Sequence, residues 1–245
     1  MTLGVLIGNT NIKIGYMQGD TLMSHSYPKN THDFSDLNHL PVSKILLASV
    51  VPDLVAPVSE SLDGLFGVPA HVIEKEAVPI NLSRYDTRNI GIDRVLSCYG
   101  GFDVSGAFVV FDLGTAISVS VVNGGVANDS VANSERFFCG GAILPGVEMG
   151  LKALGNGTAL LPSLDISQVS DSPVIGADTQ ACLISGAIHG TTAIVEGLAK
   201  RMERELGEPL QILLTGGFAP YIIDHAPTSW LHRPNLTMAG LLRLG

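Results

Sequence analysis

Three short stretches carry residue types suited to chemistry on an anion. Phe108-Val109-Val110-Phe111-Asp112-Leu113-Gly114-Thr115-Ala116 ends an apolar run in a carboxylate, turns at a glycine and presents a hydroxyl. An alternating segment, 117–122, follows, so the whole reads as strand, tight turn, strand. Glycine lets the backbone approach a bulky anion, and the Thr115 hydroxyl and turn amides can donate to phosphate oxygens. Asp112, at the strand end, can hold a cation. The plainer alternative is an ordinary hairpin with a polar tip. A second copy, Gly4-Val5-Leu6-Ile7-Gly8-Asn9-Thr10 running into Asn11-Ile12-Lys13-Ile14-Gly15-Tyr16, lies 114 − 8 = 106 residues earlier when Gly8 is aligned with Gly114. That spacing is too long for a solenoid repeat and suggests a duplicated domain gripping a nucleotide from both sides of a cleft. The third stretch is Gly91-Ile92-Asp93-Arg94, ahead of a helical segment at 95–101. Asp93 in a first turn suits the helix dipole, so a helix-start acid with Arg94 as its surface partner is the alternative there.

Glycine recurs at three further places: Gly140-Gly141 before an apolar strand, Pro145-Gly146 before a helix, and Gly216-Gly217 after a strand. Each allows close backbone contact with a ligand, or only turns the chain.

The elements that must position these residues follow from periodicity. Strands are expected at 2–7, 11–17, 21–28, 44–51, 70–73 and 211–215, and a short helix within 32–40. A helix over 54–66 puts Leu54, Val58, Leu62 and Leu65 on one face, with Pro57 tolerated in its first turn. Asn123-Gly124-Gly125 reads as a polar turn, 147–154 and 236–242 as helices, and 179–206 as one long helix capped by Asp178 or Thr179. Gly186 and Gly190 leave a groove on that helix for close approach within the core or against a second subunit. His189 reads as structural, and Trp230, in a Pro-rich loop, as packing. Strands followed by strand–helix–strand predict an α/β fold, with mixed sheets flanked by helices.

Composition sets the bounds. At 245 residues the chain makes one large domain or two of about 100–150. Hydrophobic residues are 46% and charged ones 15%, enough for a sizeable core. A net charge of −9 argues against broad nucleic-acid binding, which needs a basic footprint. Cys98, Cys139 and Cys182 form no C-x-x-C pair, so buried free thiols in a reducing cytoplasm are expected rather than a disulfide framework or zinc site. The N-terminal run lacks the basic start and cleavage pattern of a signal peptide, and no apolar stretch is expected to reach a membrane-spanning length.

Six segments in order resemble the type III pantothenate kinases of the actin/sugar-kinase superfamily: Gly8-Asn9-Thr10-Asn11, Gly91-Ile92-Asp93-Arg94, Asp112-Leu113-Gly114-Thr115-Ala116, Gly140-Gly141-Ala142-Ile143-Leu144-Pro145-Gly146, Gly176-Ala177-Asp178-Thr179 and Thr215-Gly216-Gly217. Each is weak by itself; the ordered set spans almost the whole chain. The resemblance implies two ribonuclease-H-like domains, 1–106 and 107–245, with an inter-domain cleft, the last helix being able to pack back on the first domain. It implies a cytoplasmic homodimer that binds ATP and pantothenate, with Mg²⁺ and a monovalent cation (K⁺ or NH₄⁺). Gly8, Asn9, Thr10, Asn11 and Lys13 would form the first phosphate loop and Thr115 would contact ATP. Asp112 would bind the monovalent cation and Asp93 would be the general base. Tyr85, Gly91, Ile92, Arg94 and Thr179 would line the pantothenate site, where a guanidinium suits the substrate's carboxylate. One position departs from the family. Where its members carry an aspartate that helps hold Mg²⁺-ATP, this chain has Leu6, which cannot ligate a hard cation. Two readings follow: an active kinase whose metal is held through phosphates and water, or a catalytically impaired homologue acting as a ligand-binding or regulatory protein.

Overall fold

Alternating apolar residues make the first 28 residues a meander. β1 (Thr2–Ile7), β2 (Asn11–Gln18) and β3 (Thr21–Pro28) pair antiparallel. The computed structural model describes residues 1–124, 136–164 and 172–245. Gly125, assigned above to a turn with Asn123 and Gly124, lies outside them. β4 (Lys44–Ser49) runs parallel to β1 and β5 (Ala70–Val72) parallel to β4, giving the order β3-β2-β1-β4-β5. Leu3, Val5, Ile7, Ile12, Ile14, Ile45 and Leu47 share a core with Val58 and Leu62 of α1 (Val55–Phe66). Burying each of these two helix side chains contributes about 1.5–3 kcal/mol. Gly67, at φ 67°, ends α1 in the left-handed conformation that glycine adopts without strain.

On the other face of this sheet, β1 and β2 carry Gly4 and Gly15, and a Cβ on either would lie 2.6 Å from the Met238 side chain. Met238 belongs to α7 (Leu236–Leu242), which packs on β1 and on α2 (Ile92–Gly100). The two helices cross through glycine: a Cβ at Gly240 would overlap the Leu96 carbonyl oxygen, and one at Gly100 the Leu236 carbonyl oxygen. Neither obstacle is a movable side-chain end. Gly240→Ala is therefore expected to cost about 2 kcal/mol and lower the melting temperature by roughly 4–8 °C. An unchanged thermal transition would contradict this packing.

The second half repeats the plan. β6 (Phe108–Leu113), β7 (Ala116–Val122) and β8 (Phe138–Pro145) form an antiparallel meander; β9 (Gln211–Thr215) is parallel to β6 and β10 (Leu231–His232) parallel to β9. The order β10-β9-β6-β7-β8 is the first sheet's order read from its opposite edge. Both sheets are thus mixed, with the ribonuclease-H-like arrangement. Helices α3 (Val147–Gly157), α4 (Thr179–Ser185), α5 (Thr191–Leu206) and α6 (Ala219–Ile223) accompany the second. Its core joins Val109, Phe111, Ile117 and Val119 to Val195, Ala199, Ile222 and Trp230, so Trp230 packs as expected.

The chain divides into two compact units. One comprises Met1–Leu82, Asp86–Asp103 and Asn235–Gly245; the other comprises Ser83–Tyr85 and Val104–Pro234.

Four local expectations are corrected. Gly140 and Gly141 lie within β8 rather than before it, at φ 104° and 157°, beside a bulge opposite Val121 and Val122. The long helix is broken by a π-helical turn, Gly186–Gly190, and a Cβ on Gly186 or Gly190 would meet nothing within 4 Å, so these glycines mediate no close packing among the described residues. The run Thr179–Leu206 is, among the described residues, long and apolar enough to cross a membrane by length and composition. Its Ala187, Val195 and Ala199 belong to the second unit's core. Of the three free cysteines only Cys98 is buried, while Cys182 is exposed.

Candidate active site

The first hairpin closes when the Gly8 N–H donates to the Asn11 carbonyl at 2.9 Å. Asn9, Thr10 and Asn11 are exposed in the turn, and the Lys29 N–H donates to the Thr10 carbonyl at 3.3 Å. Lys13 is half-buried on β2, directly opposite Leu6 of β1. Next to this turn, the Val50 N–H donates to the Ile7 carbonyl at 3.0 Å, and the Val50 side chain lies 3.4 Å from where a Cβ on Gly91 would sit. The Gly91-Ile92-Asp93-Arg94 start of α2 therefore shares the hairpin's end of the first sheet. This is the carboxyl end of the parallel strands β1 and β4, where open α/β sheets bind ligands.

Gly91 has a local reason to be glycine. A Cβ there would overlap Asp93 Oδ1, which accepts the Arg94 N–H at 2.9 Å. Asp93 keeps an exposed surface, yet protein packed around its carboxyl pushes it above the usual carboxylate range. The Arg94 N–H and guanidinium pull the other way and offset only part of this rise. Arg94 is buried and has interaction partners, which corrects its reading as a surface partner. Ile92 is buried too.

In the second unit the Gly114 N–H donates to the Ala116 carbonyl at 3.2 Å, and Thr115 is exposed at the tip. Two of the other glycine segments clasp this hairpin. A Cβ on Gly146 would overlap the Thr115 carbonyl oxygen and sit 2.5 Å from that of Gly114. Gly216, at φ 90°, leaves room for the half-buried Asp112; a Cβ on it would be 2.6 Å from Asp112 Oδ1. The Phe218 N–H donates to the Leu113 carbonyl at 3.0 Å. Gly146 and Gly216 thus press on protein backbone, where the sequence suggested a ligand. Gly217 alone of the Gly216-Gly217 pair is open.

Tyr85 and Thr179 lie on neither hairpin. The Tyr85 ring meets Phe138 edge-on at 5.0 Å between centroids and lies 3.5 Å from where a Cβ on Gly140 would be. The Arg84 guanidinium sits 4.0 Å from the Phe137 ring centroid. These aromatic partners escape periodicity arguments; the only signal was the adjacent Phe137-Phe138 pair ahead of two glycines. Thr179 opens α4 on an exposed turn, where Asp178 caps the helix by accepting the Ala181 N–H at 2.8 Å.

Cation sites differ between the halves. The row of side chains across the first sheet reads Ser26, Lys13, Leu6, Ala48, with no carboxylate. No group of three or more His, Cys, Asp or Glu residues that could hold a metal occurs among the described residues. The first hairpin does not fit a protein-ligated divalent ion. Asp112, a single carboxylate in the space Gly216 leaves open, fits a loosely held monovalent ion with oxygen ligands.

Residues 2–201 match the family described as type III pantothenate kinase. A type III pantothenate kinase of Thermus thermophilus is 31% identical over 260 residues, covering 100% of this chain and 98% of that protein. That of Parafrankia sp. (strain EAN1pec) is 31% identical over 256 residues, covering 98% and 96%. Among solved structures, the activator of 2-hydroxyisocaproyl-CoA dehydratase from Clostridium difficile with bound ADPNP is 12% identical with a TM-score of 0.46, covering 98% of this chain and 92% of that one.

Proposed function

Because the chain belongs to the type III pantothenate kinase family, we propose that it transfers the γ-phosphoryl group of ATP to pantothenate, giving 4′-phosphopantothenate, the first step of coenzyme A biosynthesis. The observation that carries this reading is the match over residues 2–201, which contains every residue given a role below. The protein's part in such a transfer is positioning and charge stabilisation. The turn amides and hydroxyls of Gly8, Asn9, Thr10, Asn11 and Thr115, with Lys13, hold the phosphates. Asp112 holds the monovalent cation, K⁺ or NH₄⁺, which adds positive charge near the phosphates when bound. Asp93 accepts the proton of the attacking primary hydroxyl, a role supported by its exposed surface and by its place beside the first hairpin. Arg94, Ile92, Gly91, Tyr85 and Thr179 are the residues we assign to pantothenate binding, with the guanidinium suited to the substrate's carboxylate. The first hairpin would offer no carboxylate to a Mg²⁺ ion accompanying ATP.

The enzyme works as a cytoplasmic homodimer. The second unit supports dimerisation through exposed Ile194, which lines a mostly apolar groove of about 340 Å³ with Leu144, Ala193, Gly197, Leu198 and Arg201. Ile194→Glu should convert the dimer to monomer in size-exclusion chromatography with light scattering; a variant that stays dimeric would move the interface elsewhere.

Leu6 favours a second reading, a homologue that binds without turning over. The two are separated by an assay with ATP, pantothenate and K⁺ on the native protein and on Leu6→Asp. Turnover by the native protein supports the kinase. No native turnover, with turnover gained in the variant, supports the binding protein.

A further inference from the structure

Lys13 is a half-buried cation to which the described residues give no counter-ion. Lys13 takes no part in the ion pairs Arg88–Asp86, Lys152–Glu148 and Lys200–Glu196, and no hydrogen bond among the described residues engages its ammonium. Its neighbours on either side of its row in the sheet are Leu6 and Ser26. Directly opposed residues of an antiparallel pair have Cβ atoms about 4.5–5.5 Å apart, so the Lys13 stem lies along Leu6. A carboxylate at position 6 would form a cross-strand ion pair and neutralise Lys13. Leucine at that position leaves the charge whole. An ammonium without a counter-ion keeps its attraction for an arriving anion. The chain as a whole carries −9, so a positive hairpin end is a local feature rather than part of a basic surface.

We infer that Lys13 supplies directly the positive charge with which the first hairpin holds the nucleotide's phosphates, so that nucleotide binding by this chain does not require a divalent cation. The inference deepens the kinase reading and rests on it. Its chemistry is that of an ammonium on a polyphosphate, in place of a carboxylate-anchored metal. Leu6 and Lys13 then form one coupled pair, the apolar residue keeping the cation available.

The test is isothermal titration calorimetry with ATP, in EDTA and in Mg²⁺, on the native protein, Lys13→Met and Leu6→Asp. Circular dichroism melts check that each variant is folded, and phosphopantothenate formation is measured in parallel. The native dissociation constants should agree within about threefold between the two conditions. Lys13→Met should weaken ATP by about tenfold or more in both, and Leu6→Asp should weaken it in EDTA more than in Mg²⁺. Native binding that appears only with Mg²⁺ and is indifferent to Lys13→Met, in a protein that forms product, overturns the role of Lys13 and leaves the kinase standing. Absence of ATP binding in both conditions, together with absence of product, overturns both.

Discussion

Asp93→Asn is expected to lower kcat by about 10²–10⁴-fold, the usual contribution of a positioned general base, while ATP affinity stays near the native value. Asparagine keeps the oxygen that accepts the Arg94 N–H, so the start of α2 should hold its geometry. What it loses is the ability to take a proton. The sign of the pH effect follows from the raised carboxyl. A base acts only when ionised, so the native rate should rise with pH through a midpoint above the ordinary carboxylate range, and the Asn variant should lack that limb. Stability runs the other way. A carboxyl raised in the folded protein favours folding while protonated, below its unfolded value, and that contribution disappears as pH rises through the folded one. At neutral pH the ionised Asp93 therefore opposes folding, and Asp93→Asn should melt no lower than the native protein. A marked fall in melting temperature would identify Asp93 as a structural helix-start acid instead.

Gly146→Ala should cost about 100-fold in kcat/KM for ATP, because displacing a positioning group by about 1 Å has effects of that size. The added methyl would overlap the Thr115 carbonyl and crowd that of Gly114. Both are backbone atoms of the hairpin assigned to the phosphates, so the hairpin itself must move. A stability loss of about 1–3 kcal/mol should accompany it. The control is Gly150→Ala, on the helix that follows, where a Cβ would meet nothing within 4 Å. That change should leave kinetics alone and add roughly 0.5–1 kcal/mol of stability from helix propensity. Equal behaviour of the two variants would remove Gly146 from the site.

What could be read from residues alone was local. The alternation in 2–7 and 11–17 marks strands because Leu3, Val5, Ile7, Ile12 and Ile14 turn to one core, and Gln18-Gly19-Asp20 leaves only a tight turn before 21–28. The duplication was legible because both copies place glycine where a turn amide must reach a carbonyl, Gly8 to Asn11 and Gly114 to Ala116. The partners of glycines were not legible. Gly146, Gly216 and Gly240 each face backbone from a distant part of the sequence, and nothing near them in the chain says so. Gly140 and Gly141 carry positive φ inside β8, where the usual rule places glycine at an end. β10, two residues long in a Pro-rich segment, carries no periodic signal. The burial of Arg94 was missed because an arginine after a helix-start acid ordinarily faces water.

The most direct measurement is mass spectrometry of the purified protein's products after incubation with ATP, Mg²⁺, K⁺ and pantothenate. We expect pantothenate to gain one phosphoryl group on its primary hydroxyl, with an equal amount of ADP. Unaltered pantothenate, in a sample that still binds ATP, would contradict the assignment.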